Sequence, residues 1–436
     1  MKPQENVRVG PAKGLRGELR VPGDKSISHR AVILGSIAEG QTRVRGLLEG
    51  RDTLATISAF RAMGVGFERQ ETALTIEGRG LKGLDEPGDV IDAQNSGTTA
   101  RLLTGLLSAQ DFFSVITGDG SLRERPMGRV VDPLKSMGAS IAGRRGATRL
   151  PLAISPAALT GIKYSTPVAS AQLKSSLLLA GLYADGETRI TEPEKSRDHT
   201  ERMLELFGAG ITVEGNSVTI KKTGELEGTE MTVPGDLSSA AFLVVGAMIT
   251  EDSELLIRDV GVNPTRTGVI KILERMGGAI EARNVRTISG EPVADLAIRT
   301  SSLTGTLISG EEVVTAIDEF PVICMAAAFA RGRTIISGAG ELRVKESDRI
   351  SAMASSLTSL GVTCEERDDG IVIDGNKNAP IAIKGAALDS RGDHRVAMSL
   401  AVGALRSESG VEIRGAGAVD VSFPGFFALL DRAAVS

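Results

Sequence analysis

Self-similarity constrains this chain more than any other feature, because a recurring unit cannot bury its apolar face alone and must stack on its neighbours. A short helical pattern ends in glycine and passes into two strand-like runs at five places: RAMGVGFERQ, KSMGASIAG, ELFGAGITVEG, ERMGGAIEARN and SLGVTCEER. The marker glycines Gly64, Gly138, Gly208, Gly277 and Gly361 lie 74, 70, 69 and 84 residues apart. Glycine suits the left-handed residue that ends a helix, and the alternation after it, as in ITVEG then SVTIKK, suits half-buried strands joined by a hairpin.

A second, more apolar helical stretch that begins with small polar residues precedes each marker. Six can be counted: KSISHRAVILGSIAEG, NSGTTARLLTGLL, SAQLKSSLLLAGLYA, DLSSAAFLVVGAM, DEFPVICMAAAFA and DHRVAMSLAVGAL. They read as buried inner helices, with the amphipathic ones outside. The sixth unit ends in FPGFFALLDRAA without closing strands, so the N-terminal strand LRGELRVPG is expected to complete it. A midpoint is visible where LRVPGDKSISHRAVIL is echoed by MTVPGDLSSAAFLVV from Met231. Two pseudo-equivalent domains follow, one of residues 22–234 and one of residues 1–21 plus 235–436, joined by two crossings at the paired PGD turns.

At 436 residues the chain exceeds one ordinary core, and 41% hydrophobic residues supply enough apolar surface for two. Lys+Arg 50 against Asp+Glu 55 leaves a formal charge of -5, so a nucleic-acid partner is not expected and any anion chemistry must be local. Aromatics at 3% and no Trp also argue against base stacking. The two cysteines, Cys324 and Cys364, cannot build a disulfide framework or a Cys-rich zinc site. The start, MKPQENVRVGPAKG, is polar, and apolar runs such as AAFLVVGAMI are too short to span a bilayer. A soluble protein of the reducing cytoplasm, without a membrane partner, is therefore expected.

The first turn of a helix exposes unsatisfied N–H groups and the positive end of the helix dipole, which favours anions. Candidate chemistry concentrates there. Lys25, Ser26, Ser28, His29 and Arg30 open the first inner helix; Asn95, Ser96, Gly97 and Thr98 open the second; Ser170, Ala171 and Gln172 open the third. Outer helices start with Arg125 before Pro126, with Ser196 and Arg197 before Asp198, and with Lys345 to Arg349 in VKESDR. Arginine suits carboxylates and phosphates because its planar fork donates two parallel hydrogen bonds.

Ordinary capping accounts for any single Ser, Thr, Asp or Asn at such a start. GDKSISHR is not a Walker-type loop, since Asp24 separates Gly23 from Lys25. Arg30 and Arg101 could pair with surface carboxylates, but so many arginines at helix starts exceed that explanation. His29, His199 and His394 sit beside or within two residues of an arginine, which opposes a divalent metal, so hydrogen-bonding roles are expected and no metal. Cys324, mid-helix in PVICMAAA, reads as core. Two acidic sites stand out among the basic ones, Asp318-Glu319 and Glu346. Proton transfer needs carboxylates near the reacting atoms, while capping by Asp318 and surface pairing by Glu346 fit the sequence equally. Asp348 reads as structural.

Seven motifs in order, GDKSISHR, NSGTTARLL, RPMGRVVDPL, ASAQLKS, SRDHTERML, VKESDRI and GDHRVAM, resemble the 5-enolpyruvylshikimate-3-phosphate synthase family over nearly the whole chain. The resemblance implies a two-domain inside-out α/β barrel of six βαβαββ units, the enolpyruvyl transferase fold, with the active site in the cleft between the domains. It implies transfer of the enolpyruvyl group of phosphoenolpyruvate to shikimate 3-phosphate with release of phosphate, with no cofactor, and a monomer. Carried over position by position, it puts Lys25, Asn95, Gly97, Arg125, Gln172, Arg349 and Arg395 at phosphoenolpyruvate. It puts Lys25, Ser26, Arg30, Ser170, Ala171, Gln172, Arg197, Asp318 and Lys345 at shikimate 3-phosphate. Asp318 becomes the base for the attacking hydroxyl, while Glu346 with Lys25 handles the proton at C3.

Three positions depart from one well-known branch of the family. Leu102 replaces a proline, Ser170-Ala171-Gln172 replaces Ser-Ser-Gln, and Val421 stands where that branch has an active-site lysine. These resemble the often glyphosate-tolerant branch, and partial tolerance is expected. Gly97 leaves open a space that an alanine crowds in related tolerant enzymes, and Lys174 is either a site lysine of this branch or a lysine on the helix surface. Two rival readings fit the sequence less well. The cell-wall enolpyruvyl transferase acting on UDP-N-acetylglucosamine shares the fold, but its loop cysteine has no counterpart between Gly118 and Pro126, GDGSLRERP. A non-catalytic repeat scaffold would have no need of the Lys-Glu and Asp-Glu pairs.

Overall fold

The computed structural model describes residues 5–376 and 387–435 of the chain. It is an α/β protein of repeated modules, and six apolar inner helices organise it: α1 (Lys25–Ile37), α2 (Gly97–Leu107), α3 (Ala171–Gly181), α4 (Leu237–Ile249), α5 (Phe320–Ala328) and α6 (His394–Ala404). Capping starts five of them. Asp24, Ser96, Ser170, Asp236 and Asp393 each accept a hydrogen bond from a backbone N–H of the first turn, while α5 has Pro321 in its first turn. Every residue of α4 and α5 is buried, which explains why these segments lack a polar stripe.

The five marker glycines end outer helices in the left-handed conformation, with φ of 83°, 103°, 85°, 94° and 76°. A hairpin follows each. After Gly208, for example, Ile211–Glu214 pairs antiparallel with Ser217–Lys221, with Val218 and Ile220 turned to the core. The described strands form six sheets of three to five strands. Within the second module the order is strand, α2, strand, outer helix Gly128–Ser136, then hairpin, and the third module repeats it around α3.

The chain divides into two compact units. A central unit holds residues 23–233 with 288–291, and a terminal unit holds residues 1–22, 234–287 and 292–436. Each has its own apolar core, built around α1–α3 in the central unit and α4–α6 in the terminal unit. Short glycines let the inner helices approach. A Cβ on Gly105 of α2 would lie 2.1 Å from the Ser176 carbonyl oxygen of α3.

Strand closure matches the sequence expectation only in part. The strand that pairs antiparallel with Val411–Arg414 of the sixth module is Asn6–Val9, ahead of LRGELR. Gly14–Arg20 pairs in parallel with Glu254–Gly261 of the fourth module, and its first two residues also pair antiparallel with Ala434–Val435, directly after the last helix of the sixth module. The echo segment Glu230–Thr232 pairs in parallel with Glu39–Arg45 of the first module. Each segment before a PGD turn thus closes a sheet of the unit it leaves, not the unit it enters.

Candidate active site

In the central unit, the starts of α1, α2 and α3 carry most of the residues singled out from the sequence. Asp24 caps α1, and Lys25 beside it forms an ion pair with Asp52 of the outer helix Arg51–Ala62. Arg30 is buried along α1. Its Nε donates to Thr200 Oγ1 at 2.6 Å, its Nη2 to Ser175 Oγ at 2.6 Å, and its Nη1 to the Ser26 carbonyl at 2.9 Å. It therefore binds hydroxyls and a carbonyl in place of the surface carboxylate considered from sequence. Burial pulls its guanidinium down to about 10; Arg197 nearby adds to that, while Glu201 and Asp24 oppose it.

The close approach of α2 and α3 joins their first turns. Gln172 Oε1 accepts from Arg101 Nη1 at 3.0 Å, and Gln172 Nε2 donates to Thr98 Oγ1 at 3.1 Å. Asn95 is held from both ends: its Nδ2 donates to Asp119 at 2.7 Å and its Oδ1 accepts from Arg125 Nη2 at 2.8 Å. The space beside Gly97 is not open, as the sequence suggested. A Cβ there would lie 2.6 Å from Arg101 Nη1 and 3.4 Å from Arg125 Nη1. Leu102 sits in the core one turn further along α2. Ala171, the first residue of α3, and Arg197 are both half-buried.

Lys174 fits neither sequence alternative. It is only 2% exposed, and its Nζ lies 2.7 Å from both Glu192 Oε2 and Glu201 Oε1, so it is neither a surface lysine nor open to a ligand. The histidines of this unit are hydrogen-bonded, His29 Nδ1 to Thr56 Oγ1 and His199 Nδ1 to Glu291 Oε1, both at 2.7 Å. Burial, with Lys25 and Arg30 adding to it, holds His29 well below its ordinary pKa and so uncharged.

In the terminal unit, one guanidinium gathers the acidic candidates. Arg349, at the start of the outer helix Arg349–Ser359, is 1% exposed. Its Nε donates to Asp393 Oδ2 at 2.8 Å, its Nη2 to Glu346 Oε2 at 2.7 Å, and its Nη1 to Asp318 Oδ1 at 3.5 Å. Burial works against the charge, yet Asp393, Glu346 and Asp318 together hold its pKa above the ordinary value. The same guanidinium keeps buried Asp393 below the usual carboxylate range against the effect of burial.

Asp318 lies in the 3-10 turn Ile317–Glu319 ahead of α5, and its carboxylate faces Arg349 and, at 3.7 Å, Arg395 Nη2. Arg395 Nη1 also donates to the Asp318 carbonyl at 3.0 Å. Glu346 is paired within its own helix start, with Arg349, and Lys345 next to it is half-buried. Asp348 caps the Arg349–Ser359 helix through Ser351 N at 3.0 Å, a structural role. Val421 ends a 3-10 turn, Ala416–Val421. Cys324 is fully buried, and burial pushes its thiol up.

Sequence reasoning missed Asp52, Glu192, Glu201, Thr200 and Asp393 as partners of the site. Only Asp393 carried a usable signal, as the acid that precedes His394-Arg395 in a helix start. Among the described residues no group of three or more His, Cys, Asp or Glu side chains is placed to hold a metal ion, and no helix is long and apolar enough to cross a membrane.

Repeated α/β modules whose helix starts gather arginines, a lysine and paired carboxylates define an α/β enzyme suited to small anionic molecules. Comparison with known proteins narrows the class to one family. Residues 9–430 match the family model of EPSP synthase (3-phosphoshikimate 1-carboxyvinyltransferase), and the chain belongs to that family. It is 56% identical over 427 residues to a 3-phosphoshikimate 1-carboxyvinyltransferase of Pelobacter propionicus, covering 98% of each chain. A protein of the same name from Geobacter metallireducens is 55% identical over 430 residues, 99% of each chain. A solved structure of EPSP synthase from Acinetobacter baumannii superposes with a TM-score of 0.89 at 48% identity, covering 99% of both chains.

Proposed function

We propose that this chain carries out its family's reaction with the residues gathered at these helix starts. The chain is a 3-phosphoshikimate 1-carboxyvinyltransferase: it transfers the enolpyruvyl group of phosphoenolpyruvate to the 5-hydroxyl of shikimate 3-phosphate and releases phosphate, in the pathway to chorismate and the aromatic amino acids. Protonation of phosphoenolpyruvate at C3 creates cationic character at C2. The hydroxyl oxygen adds there, its proton passes to a base, and the tetrahedral ketal loses the C3 proton and phosphate. The bond broken is C–O, so the phosphorus atom undergoes no substitution.

The observation that carries the assignment of roles is the pair of carboxylates on one buried guanidinium, Asp318 and Glu346 on Arg349, with Arg395 beside Asp318. In the reading proposed, Asp318 takes the hydroxyl proton, and Glu346 with Lys25 manages the proton at C3. Arg349, Arg395 and Arg125, with Asn95, Gly97 and Gln172, receive the phosphoenolpyruvate anion. Ser26, Arg30, Ser170, Ala171, Gln172, Arg197 and Lys345 receive shikimate 3-phosphate. The reading also takes the enzyme to be a cytoplasmic monomer. Fixed donors that hold two mutually repelling anions in reacting geometry supply both proximity and charge stabilisation.

Phosphate release from phosphoenolpyruvate, measured in EDTA, tests this. Release is expected with shikimate 3-phosphate and not with UDP-N-acetylglucosamine. Release only with the nucleotide sugar, or only after a divalent metal is restored, would contradict it.

A further inference from the structure

We propose that Lys174 is a positioning residue for the shikimate 3-phosphate subsite, fixing the start of α3 against the Glu192–Arg197 segment through Glu192. The inference rests on the reading above, in which Ser170, Gln172 and Arg197 meet that substrate.

Lys174 faces into α3's buried side, one turn from the cap Ser170. Its ammonium group lies 2.7 Å from each of two buried carboxylates, Glu192 and Glu201, and 3.4 Å from the Ser196 carbonyl, which accounts for all three N–H donors. Glu192 does more than balance that charge. Its Oε1 accepts from Ser170 N at 3.1 Å, and its Oε2 accepts from Ser196 N at 3.2 Å. One carboxylate thus ties the backbone that opens α3 to the backbone beside Arg197, and Lys174 holds that carboxylate in place.

Glu201 extends the cluster to Arg30. It follows Thr200 on the helix His199–Leu206, and Thr200 Oγ1 accepts from Arg30 Nε and pairs with Ser175 Oγ, each at 2.6 Å. Lys174 thus pairs with both buried carboxylates, while Arg30 reaches the cluster through Thr200 and the charge of Glu201. Removing Lys174 alone would leave an excess of buried negative charge behind a subsite that must attract a phosphate. Burial opposes the Lys174 charge, but Glu201 and Glu192 outweigh it and raise its pKa above the ordinary value, so the ammonium persists at every working pH.

The test compares Lys174→Arg and the double variant Lys174→Met/Glu192→Gln with the native chain. Lys174→Arg keeps the charge but changes its geometry, and the double variant removes Lys174 together with the carboxylate that bridges the two backbones; a cooperative thermal melt of each variant checks that it folds before titration. Calorimetric titration with shikimate 3-phosphate should show affinity weakened about tenfold or more, the scale on which small misplacements act. KM for shikimate 3-phosphate should rise in parallel. KM for phosphoenolpyruvate at saturating shikimate 3-phosphate should rise less, since Gln172 is the one residue of the α3 start assigned to both substrates, and kcat should stay within about threefold. Shikimate 3-phosphate affinity within about twofold of native in both variants overturns the proposal, even if the thermal midpoint falls, because the cluster would then serve stability alone. A native chain that binds no shikimate 3-phosphate overturns the underlying reading instead.

Discussion

Asp318 and Glu346 show what a sequence can and cannot say about single residues. Each stands at a helix start, where capping and surface pairing are the ordinary fates of an acid. Both face one partner, Arg349, which lies three residues from Glu346 and reaches Asp318 across 31 residues of chain. Asp318→Asn keeps the side chain's size and one acceptor oxygen, but removes the charge that faces Arg349 and Arg395 and with it the proton acceptor. Shikimate 3-phosphate should still bind, while kcat falls about 10²–10⁴-fold, the usual worth of a general base. Unchanged turnover in a steady-state assay would remove Asp318 from the role of base. The same limit hid Asp52 and Glu192, whose importance lies wholly in what they face. Lys174 was visible as a residue to question, yet burial, which sequence does not display for a lysine, settles its place.

Elements were more legible than residues. Glycine-terminated helices and hairpins announce themselves through local conformational rules, and all five marker glycines adopt positive φ. The apolar inner helices were equally plain, because a segment buried on every side needs no polar face. Strand partners were not legible, since pairing joins segments hundreds of residues apart: Arg16 lies opposite Glu254. How closely α2 and α3 pack was also hidden, although Gly105 makes it possible. Gly105→Ala would press a methyl carbon against a backbone carbonyl that cannot rotate away. A stability loss of about 1–3 kcal/mol in denaturant unfolding is expected. Separation of the two helix starts should also disturb the Arg101–Gln172–Thr98 hydrogen bonds and raise KM for phosphoenolpyruvate. An unfolding midpoint equal to native would show that the helices tolerate spreading.

At the scale of the whole molecule, the repeat and the echoed PGD turn made a duplicated architecture readable from sequence, and the physical content of that duplication is two separate apolar cores. Among the described residues the central core draws only on one continuous stretch, 27–233, including the edge strand Glu230–Thr232. A fragment of residues 23–233 should therefore unfold cooperatively in urea by itself. It should be less stable than in the intact chain, having lost Thr232 N to Ser289 Oγ and His199 to Glu291. It should release no phosphate, lacking Asp318 and Glu346. A fragment that stops at residue 229 should be weaker still, since its first sheet ends one strand short. Gradual, non-cooperative melting of the longer fragment would mean that its core depends on the rest of the chain.

That missing strand bears on ancestry. The period of the sequence and the period of the fold are out of step by one strand, because Gly14–Arg20 and Glu230–Thr232 each lead one half and complete the other. A half-length polypeptide of this pattern, standing alone, would carry an idle leading strand and an open sheet edge. Two copies could satisfy both deficits by trading leading strands, as swapped dimers do. End-to-end fusion of such a pair would preserve both trades within one chain, and both are present here.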